Sequence, residues 1–173
     1  MKKRVVIVSA LISLCLLTIV FVSIHSWYNS SFKDPVAFYQ KNKSLLNESK
    51  DILLQEFKSS GLEGNSKKDK SGYIKLEHSI LIEKNSEDEL VVVKDDKENL
   101  VDNVFSEECQ SMIEELFDNG VEDISKWCGD DSLSFSLGSD MNNVMIQIVF
   151  EKGYEGDYKI DENWHFSKAS KWL

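Results

Sequence analysis

The sequence predicts an α+β protein in which an N-terminal transmembrane helix precedes one small domain. Three observations predict it: a long uncharged apolar run, two segments with apolar residues at a 3.6-residue period, and several segments in which apolar and polar residues alternate. Short connections between consecutive strands favour antiparallel pairing. We therefore expect an antiparallel sheet of about five strands with two helices on one face, in the order α-β-β-α-β-β-β.

Residues 5–24 predict a transmembrane helix that is retained as a signal anchor. At 1.5 Å per residue this segment is about 30 Å long, which matches the hydrocarbon core of a bilayer. The segment is longer than the apolar region of a cleaved signal peptide, which has about 7–15 residues. Cleavage after Ser26 would also place Ile24 where the peptidase prefers a small residue. In the leader of a lipoprotein a small residue directly precedes the modified cysteine, whereas here Leu14 precedes Cys15, so the sequence fits this pattern poorly.

Flanking charge predicts the orientation of this anchor. Residues 1–4 form a basic tip, and residues 25–32 contain neither Lys nor Arg. The positive-inside rule then places the N-terminus in the cytoplasm. Residues 25–34 become a short linker, and residues 35–173 become an extracytoplasmic domain at the cell membrane.

The predicted outer domain is acidic. Three of the twenty basic residues and none of the thirty acidic residues precede residue 25. Such a field disfavours nucleic acid and anionic lipid headgroups, because both are bound by basic surfaces. It tolerates cationic peptides, metal ions or basic wall components. The low proline content and the abundance of Lys, Asn, Asp and Glu resemble many single-anchor proteins of low-GC Gram-positive bacteria, which is a likeness of composition and indicates no family.

The first soluble helix is predicted to start at Pro35. Asp34 is a favourable N-cap, proline suits the first helical position, and Gly61 is a plausible C-terminal stop. Its apolar residues recur with helical spacing and predict one buried stripe: Phe38, Tyr39, Leu45, Leu46, Ile52, Leu53 and Phe57.

A β-hairpin is predicted next. Residues 74–83 alternate, with Ile80 and Ile82 on the apolar face, and the segment 85–88 forms a turn before a returning strand over 90–94. A second helix follows, capped by Ser106 and ended by Gly120. Its predicted apolar face comprises Cys109, Met112, Ile113, Leu116 and Phe117.

The remaining sequence predicts three strands. Residues 133–137 alternate, residues 138–143 form a turn, and residues 144–150 form a strongly apolar strand. Residues 153–162 are interpreted as a loop, and residues 163–172 as a last, weaker strand.

Cys109 and Cys128 lie outside the membrane in this topology, and a cysteine pair in an oxidising compartment indicates a structural disulfide. Closing a loop of about 20 residues would stabilise the fold by roughly 3 kcal/mol in the chain-entropy model. A reactive thiol would need a nearby histidine or cation, and none is adjacent in sequence.

No catalytic signature is present. The sequence lacks a G-x-S-x-G motif, a glycine-rich phosphate loop, H-E-x-x-H and C-x-x-C, so we expect neither an enzyme nor a cofactor. The acidic clusters do not match the spacing of a calcium-binding loop. His78 and His165 are the two histidines of the outer domain, and we interpret both as structural rather than as metal ligands.

Aromatic residues are concentrated near the C-terminus, where Trp164, Phe166 and Trp172 are candidate partner contacts. Aromatic residues are equally typical of a strand that covers a core. The leading hypothesis is a membrane-tethered, non-enzymatic module that binds or modulates another molecule, such as a membrane or cell-surface protein, near the outer membrane face. The alternative is a small-ligand-binding, metal-binding or hydrolytic domain whose site combines scattered carboxylates with His165 or His78.

Overall fold

The computed structural model describes Thr18 and residues 34–62, 80–94, 97–126, 131–139 and 144–170. Within these residues the fold is α+β, with two helices and one antiparallel sheet of eight strands. The sheet order is β3-β2-β1-β4-β5-β6-β8-β7. The elements are α1 (Pro35–Ser59), β1 (Ile80–Lys84), β2 (Leu90–Lys94), β3 (Lys97–Leu100), a 3-10 turn (Val101–Asn103), α2 (Glu107–Asp118), β4 (Asp123–Lys126), β5 (Leu133–Ser139), β6 (Val144–Phe150), β7 (Lys159–Asp161) and β8 (Trp164–Ser170).

The predicted start and end of α1 are confirmed. The Asp34 carboxylate accepts hydrogen bonds from the amides of Val36 at 2.9 Å and Ala37 at 3.4 Å, and Pro35 occupies the first helical position. These bonds satisfy amides that have no partner inside the helix. The chain leaves the helix through Gly61, whose φ of +69° suits a residue without a side chain.

The hairpin and the second helix are also confirmed. In the β1–β2 pair Ile82 lies opposite Val92, and the Asn85 side chain accepts hydrogen bonds from two amides of the intervening turn. At the start of α2 the Ser106 hydroxyl accepts a hydrogen bond from the amide of Cys109. The predicted residues 74–79 of the first strand lie outside the described residues.

The expected number of strands is wrong, because β3, β4 and β7 add to the five. Every residue of β3 is exposed, so this edge strand shows no hydrophobic alternation. Strand β4 has four residues and includes Lys126, a charged residue that is completely buried. Strand β7 has three residues and lies within the predicted loop 153–162. None of the three carries the apolar pattern that identifies a strand from sequence.

The core is one hydrophobic cluster that both helices share with the sheet. Burying each large aliphatic or aromatic side chain of such a cluster contributes about 1.5–3 kcal/mol before the cost of chain ordering. Its helical members are Tyr39, Leu46, Leu53, Phe57, Cys109, Ile113 and Leu116, and its strand members include Ile80, Ile82, Val92, Ile124, Leu133, Phe135, Ile148, Phe150 and Trp164.

Candidate functional site

The candidate site is the C-terminal edge of the sheet, which we define as the turn 151–158 together with strands β7 and β8. Strand β8 pairs with β6 so that Trp164 lies opposite Phe150, His165 opposite Val149 and Phe166 opposite Ile148. Successive side chains of a strand point to opposite faces. Trp164 and Phe166 therefore share the core-facing side of the sheet, and His165 lies on the other side.

Trp164 is part of the core. Its side chain is only 3% exposed, and its ring lies 5.4 Å from Phe150, 5.5 Å from Tyr39 and 5.9 Å from Phe135, measured between ring centroids. Its indole N–H donates a hydrogen bond of 3.1 Å to the Asn47 side chain in α1. The predicted contact residue Trp164 is therefore inaccessible to a partner while the domain is folded.

Phe166 and Tyr158 form the exposed part of the edge. The two ring centroids are 4.8 Å apart, and Tyr158 is 53% exposed whereas Phe166 is half-buried beneath it. The amide of Phe166 also donates a hydrogen bond of 3.0 Å to the carbonyl of Tyr158. The third predicted contact, Trp172, lies outside the described residues. Tyr158, which the sequence analysis did not select as a contact, is thus the exposed aromatic residue that the structure shows beside Phe166, and Trp172 stays a prediction.

A polar contact ties the beginning of α1 to β7. The Tyr39 hydroxyl donates to an Asp161 carboxylate oxygen at 3.1 Å, and the Lys43 ammonium donates to the same oxygen at 2.5 Å. The hydrogen bond from Lys43, followed by those from the amide of Glu162 and the hydroxyl of Tyr39, lowers the pKa of Asp161 to about 2. Burial, followed by the adjacent Asp161 carboxylate, raises the pKa of Tyr39 to about 12. We call Tyr39, Lys43 and Asp161 the α1–β7 latch.

The latch predicts a pH-dependent loss of stability in the variant Asp161→Asn. The folded-state pKa of Asp161 lies below the ordinary 3.8, so its stabilisation is present above pH 3.8 and is lost as the pH falls towards 2. Its side chain is 37% exposed, and after screening by solvent we expect Asp161→Asn to lower the free energy of unfolding by about 1 kcal/mol at pH 7. Urea unfolding of wild type, Asp161→Asn and the exposed control Asp157→Asn from pH 7 to 3 measures this; a constant gap between the first two would contradict it.

His165 is buried beneath the turn 151–158. It is 6% exposed, and the Tyr154 ring stacks on it with centroids 3.6 Å apart and an interplanar angle of 10°. Its Nε2 lies 3.8 Å from a Glu151 carboxylate oxygen, and its buried Nδ1 has no hydrogen-bond partner. Burial lowers the pKa of His165, and the Glu151 carboxylate opposes this in part.

The alternative hypothesis required carboxylates to converge on a histidine. Glu151 approaches His165, but no group of three His, Cys, Asp or Glu side chains among the described residues could hold a metal ion. His78, the other candidate, lies outside the described residues. The structure therefore brings together a carboxylate and a histidine, the two residue types that this hypothesis needs. Among the described residues it places no third metal ligand beside them.

Cys109 is a buried thiol at the start of α2. Burial, followed by the negative charges of Glu56 and Glu108, raises its pKa to about 12, which disfavours the reactive thiolate. Cys128 lies outside the described residues, so the Cys109–Cys128 disulfide stays a prediction.

Sequence reasoning missed the latch and the Tyr154–His165 stack. Tyr39 and Asp161 are separated by 122 residues, and no local pattern connects them. Lys126 was missed as well, although it lies opposite Ile80 in the sheet and is fully buried. Ile124 and Lys126 are two residues apart and therefore lie on the same side of a strand. Had β4 been recognised, the buried Ile124 would have placed Lys126 on the core-facing side.

Among the described residues, none of the helices has the length and apolar character that crossing a bilayer requires. The predicted anchor, residues 5–24, is outside these residues apart from Thr18. Comparisons of the chain with protein-family models, with curated proteins and with solved structures give no match.

Proposed function

We propose that this protein is a single-pass, membrane-tethered module that binds a membrane or cell-surface protein through the C-terminal edge. In this proposal residues 5–24 cross the bilayer with the N-terminus in the cytoplasm, and the acidic domain lies outside. The module itself carries out no reaction. The observation that carries the proposal is the exposed Tyr158 ring, packed on Phe166 beside the last strand of the sheet.

The position of the latch supports a partner close to the membrane. Tyr39 lies four residues after the start of α1, about 6 Å along the helix axis, and its hydroxyl binds Asp161 in β7. The C-terminal edge is thus close to the point where the linker enters the domain. Fully extended, a linker of about ten residues reaches about 33–36 Å, so this edge stays within reach of proteins in the same membrane.

The chemistry of the edge supports a protein partner. Strand β7 is the last strand in the sheet order, and an edge strand can pair with an extended segment of another chain. Tyrosine is favoured as an interface anchor because its ring is rigid and amphipathic. The segment 155–162 contains four acidic residues and one lysine, which favours a partner segment with basic side chains.

Site-specific photocrosslinking tests the proposal. A photoreactive phenylalanine analogue at position 158 should give a crosslinked product of higher mass in intact membranes. The same analogue at position 100 is the matched control, because Leu100 is an exposed apolar residue on β3 at the opposite end of the sheet. We expect at least about tenfold more product from position 158, the effect of about 1.4 kcal/mol of selective binding.

Two outcomes would overturn the proposal: recovery of monomer alone from position 158, or equal yields from positions 158 and 100. Deleting residues 5–24 should abolish the product while leaving the fold intact, because the tether supplies the local concentration of the partner. A metal-dependent rise in melting temperature would instead favour the alternative of a metal-binding domain, with the Glu151–His165 pair as its starting point.

A further inference from the structure

Tyr154 provides the side-chain contact with the sheet in the middle of the turn 151–158, whose two ends are attached separately. Between Glu151 and Lys159 every described residue is exposed except Tyr154, which is half-buried against His165. The beginning of the turn is fixed independently, because the amides of Glu151 and Gly153 donate to the backbone and side chain of Asn163. Residues 155–157 have no comparable attachment to the core, so the position of Tyr154 controls the segment that leads to Tyr158.

Gly156 shows how tightly Tyr154 is fitted. A Cβ atom added to Gly156 would lie 2.0 Å from the Tyr154 hydroxyl oxygen and 2.3 Å from the adjacent ring carbon. The tyrosine side chain therefore lies between the backbone of residue 156 and the imidazole of His165. Any side chain at position 156 would displace the ring, because the tyrosine can rotate about χ1 more readily than the backbone can move.

Protonation of His165 has a defined consequence in this arrangement. The imidazolium ion carries N–H donors at both ring nitrogens, and Nδ1 is buried without an acceptor. Strand pairing with Val149 fixes the backbone of His165, so hydration of Nδ1 requires a neighbouring group to move away. Tyr154 is the neighbour that belongs to an exposed turn rather than to the paired strands. A buried donor without an acceptor is costly, and this cost favours release of the ring.

In the part of the chain that the structure describes, few charged or titratable groups surround His165. Glu151 lies 3.8 Å from Nε2 and favours the imidazolium ion, and Tyr154 covers one face of the ring. Lys159 of β7 is opposite His165 in the sheet register, and the register neighbour in β6, Val149, is uncharged. Desolvation is the largest influence on the pKa of His165 and lowers it below the ordinary 6.5.

We propose that His165 and Tyr154 form a pH-sensitive lock on the C-terminal edge: protonation of His165 releases Tyr154 and loosens residues 155–157, which lead to Tyr158. This regulatory role rests on the proposed function, because Tyr158 is the suggested partner contact. The locked, partner-binding form exists at neutral pH. Acidification below pH 6.5 frees the turn and weakens binding.

The lock also predicts that the free energy of unfolding decreases as the pH falls. Because the folded-state pKa of His165 lies below 6.5, the unfolded chain binds a proton more readily than the folded chain does. The contribution of this residue to the free energy of unfolding is therefore complete above pH 6.5. It is lost as the pH falls through the folded-state pKa, and His165→Gln removes this dependence.

The test uses the full chain in detergent micelles, labelled with fluorotyrosine, and follows the fluorine resonance of Tyr154, assigned with Tyr154→Phe. In wild type this resonance should shift from a stacked to a solvent-exposed position as the pH falls from 7.5 to 4.5. His165→Gln should show no such transition. Glu151→Gln should move the transition to lower pH, because the carboxylate that favours the imidazolium ion is gone. Gly156→Ala should give the exposed position already at pH 7.5.

A Tyr154 resonance that does not change in wild type, or a transition that persists in His165→Gln, would overturn the lock. Photocrosslinking from position 158 measures partner binding. In wild type the yield should fall at least about fivefold between pH 7.5 and pH 5. In Gly156→Ala the yield should already be at least about fivefold lower than that of wild type at pH 7.5. An intact Tyr154 transition without any crosslink at pH 7.5 would overturn the proposed function but not the lock. A crosslink whose yield is the same at both pH values would overturn the regulatory role.

Discussion

Replacing Trp164 by alanine is expected to lower the free energy of unfolding by about 3–5 kcal/mol, the range typical of removing a large buried aromatic side chain. Trp164 is almost completely buried and contacts three aromatic rings, from α1, β5 and β6. Its loss would leave a cavity between the first helix and the sheet. It would also remove the hydrogen-bond donor to Asn47. With a total stability of roughly 5–15 kcal/mol for a domain, this variant comes close to unfolding.

Urea unfolding followed by far-UV circular dichroism measures this change. Tyr158→Ala is the matched control, because it removes a large aromatic residue from the same edge at a position that is 53% exposed. We expect the control to change stability by less than about 0.5 kcal/mol. A cost below about 1 kcal/mol for Trp164→Ala would show that the tryptophan is not a core residue and would restore it as a candidate contact.

Phe57→Ala is expected to have the second largest effect, a loss of about 3–4 kcal/mol. Phe57 is fully buried near the end of α1, and its ring meets that of Phe105 edge to face with centroids 5.6 Å apart. The neighbouring Glu56 carboxylate accepts a hydrogen bond from the Ser106 hydroxyl. These contacts join the end of α1 to the start of α2, so the cavity would separate the two helices.

Thermal unfolding of Phe57→Ala beside Val36→Ala provides the comparison within one helix. Val36 lies in the first turn of α1 and is 41% exposed, so its truncation should change stability by less than about 0.5 kcal/mol. Equal melting temperatures for the two variants would contradict the assignment of Phe57 to the core.

The helices were predictable because their signals are local. Asp34 and Pro35 precede an apolar stripe, and Ser106 precedes another, so a few neighbouring residues determine where each helix begins. The hairpin was predictable for the same reason. Strands β3 and β7 were not, since an exposed edge strand and a three-residue strand exist only through hydrogen bonds to a neighbouring strand.

The candidate site was predictable in composition but not in geometry. Alternation correctly places Trp164 and Phe166 on the same side of β8. Which of them α1 covers depends on contacts between residues more than one hundred positions apart, such as Asn47 with Trp164. The same holds for Asp161, whose local sequence resembles a solvated acidic loop although its carboxylate binds Tyr39 and Lys43.

The latch between Tyr39 and Asp161 affects when the domain can fold during synthesis. A chain that emerges with its N-terminus first presents the beginning of α1 long before β6, β7 and β8 have been synthesised. The apolar face around Tyr39 then has no surface to cover, because Phe150, Trp164 and Asp161 are still missing. Packing of the start of α1 against the sheet therefore waits until β6, β7 and β8 have been synthesised.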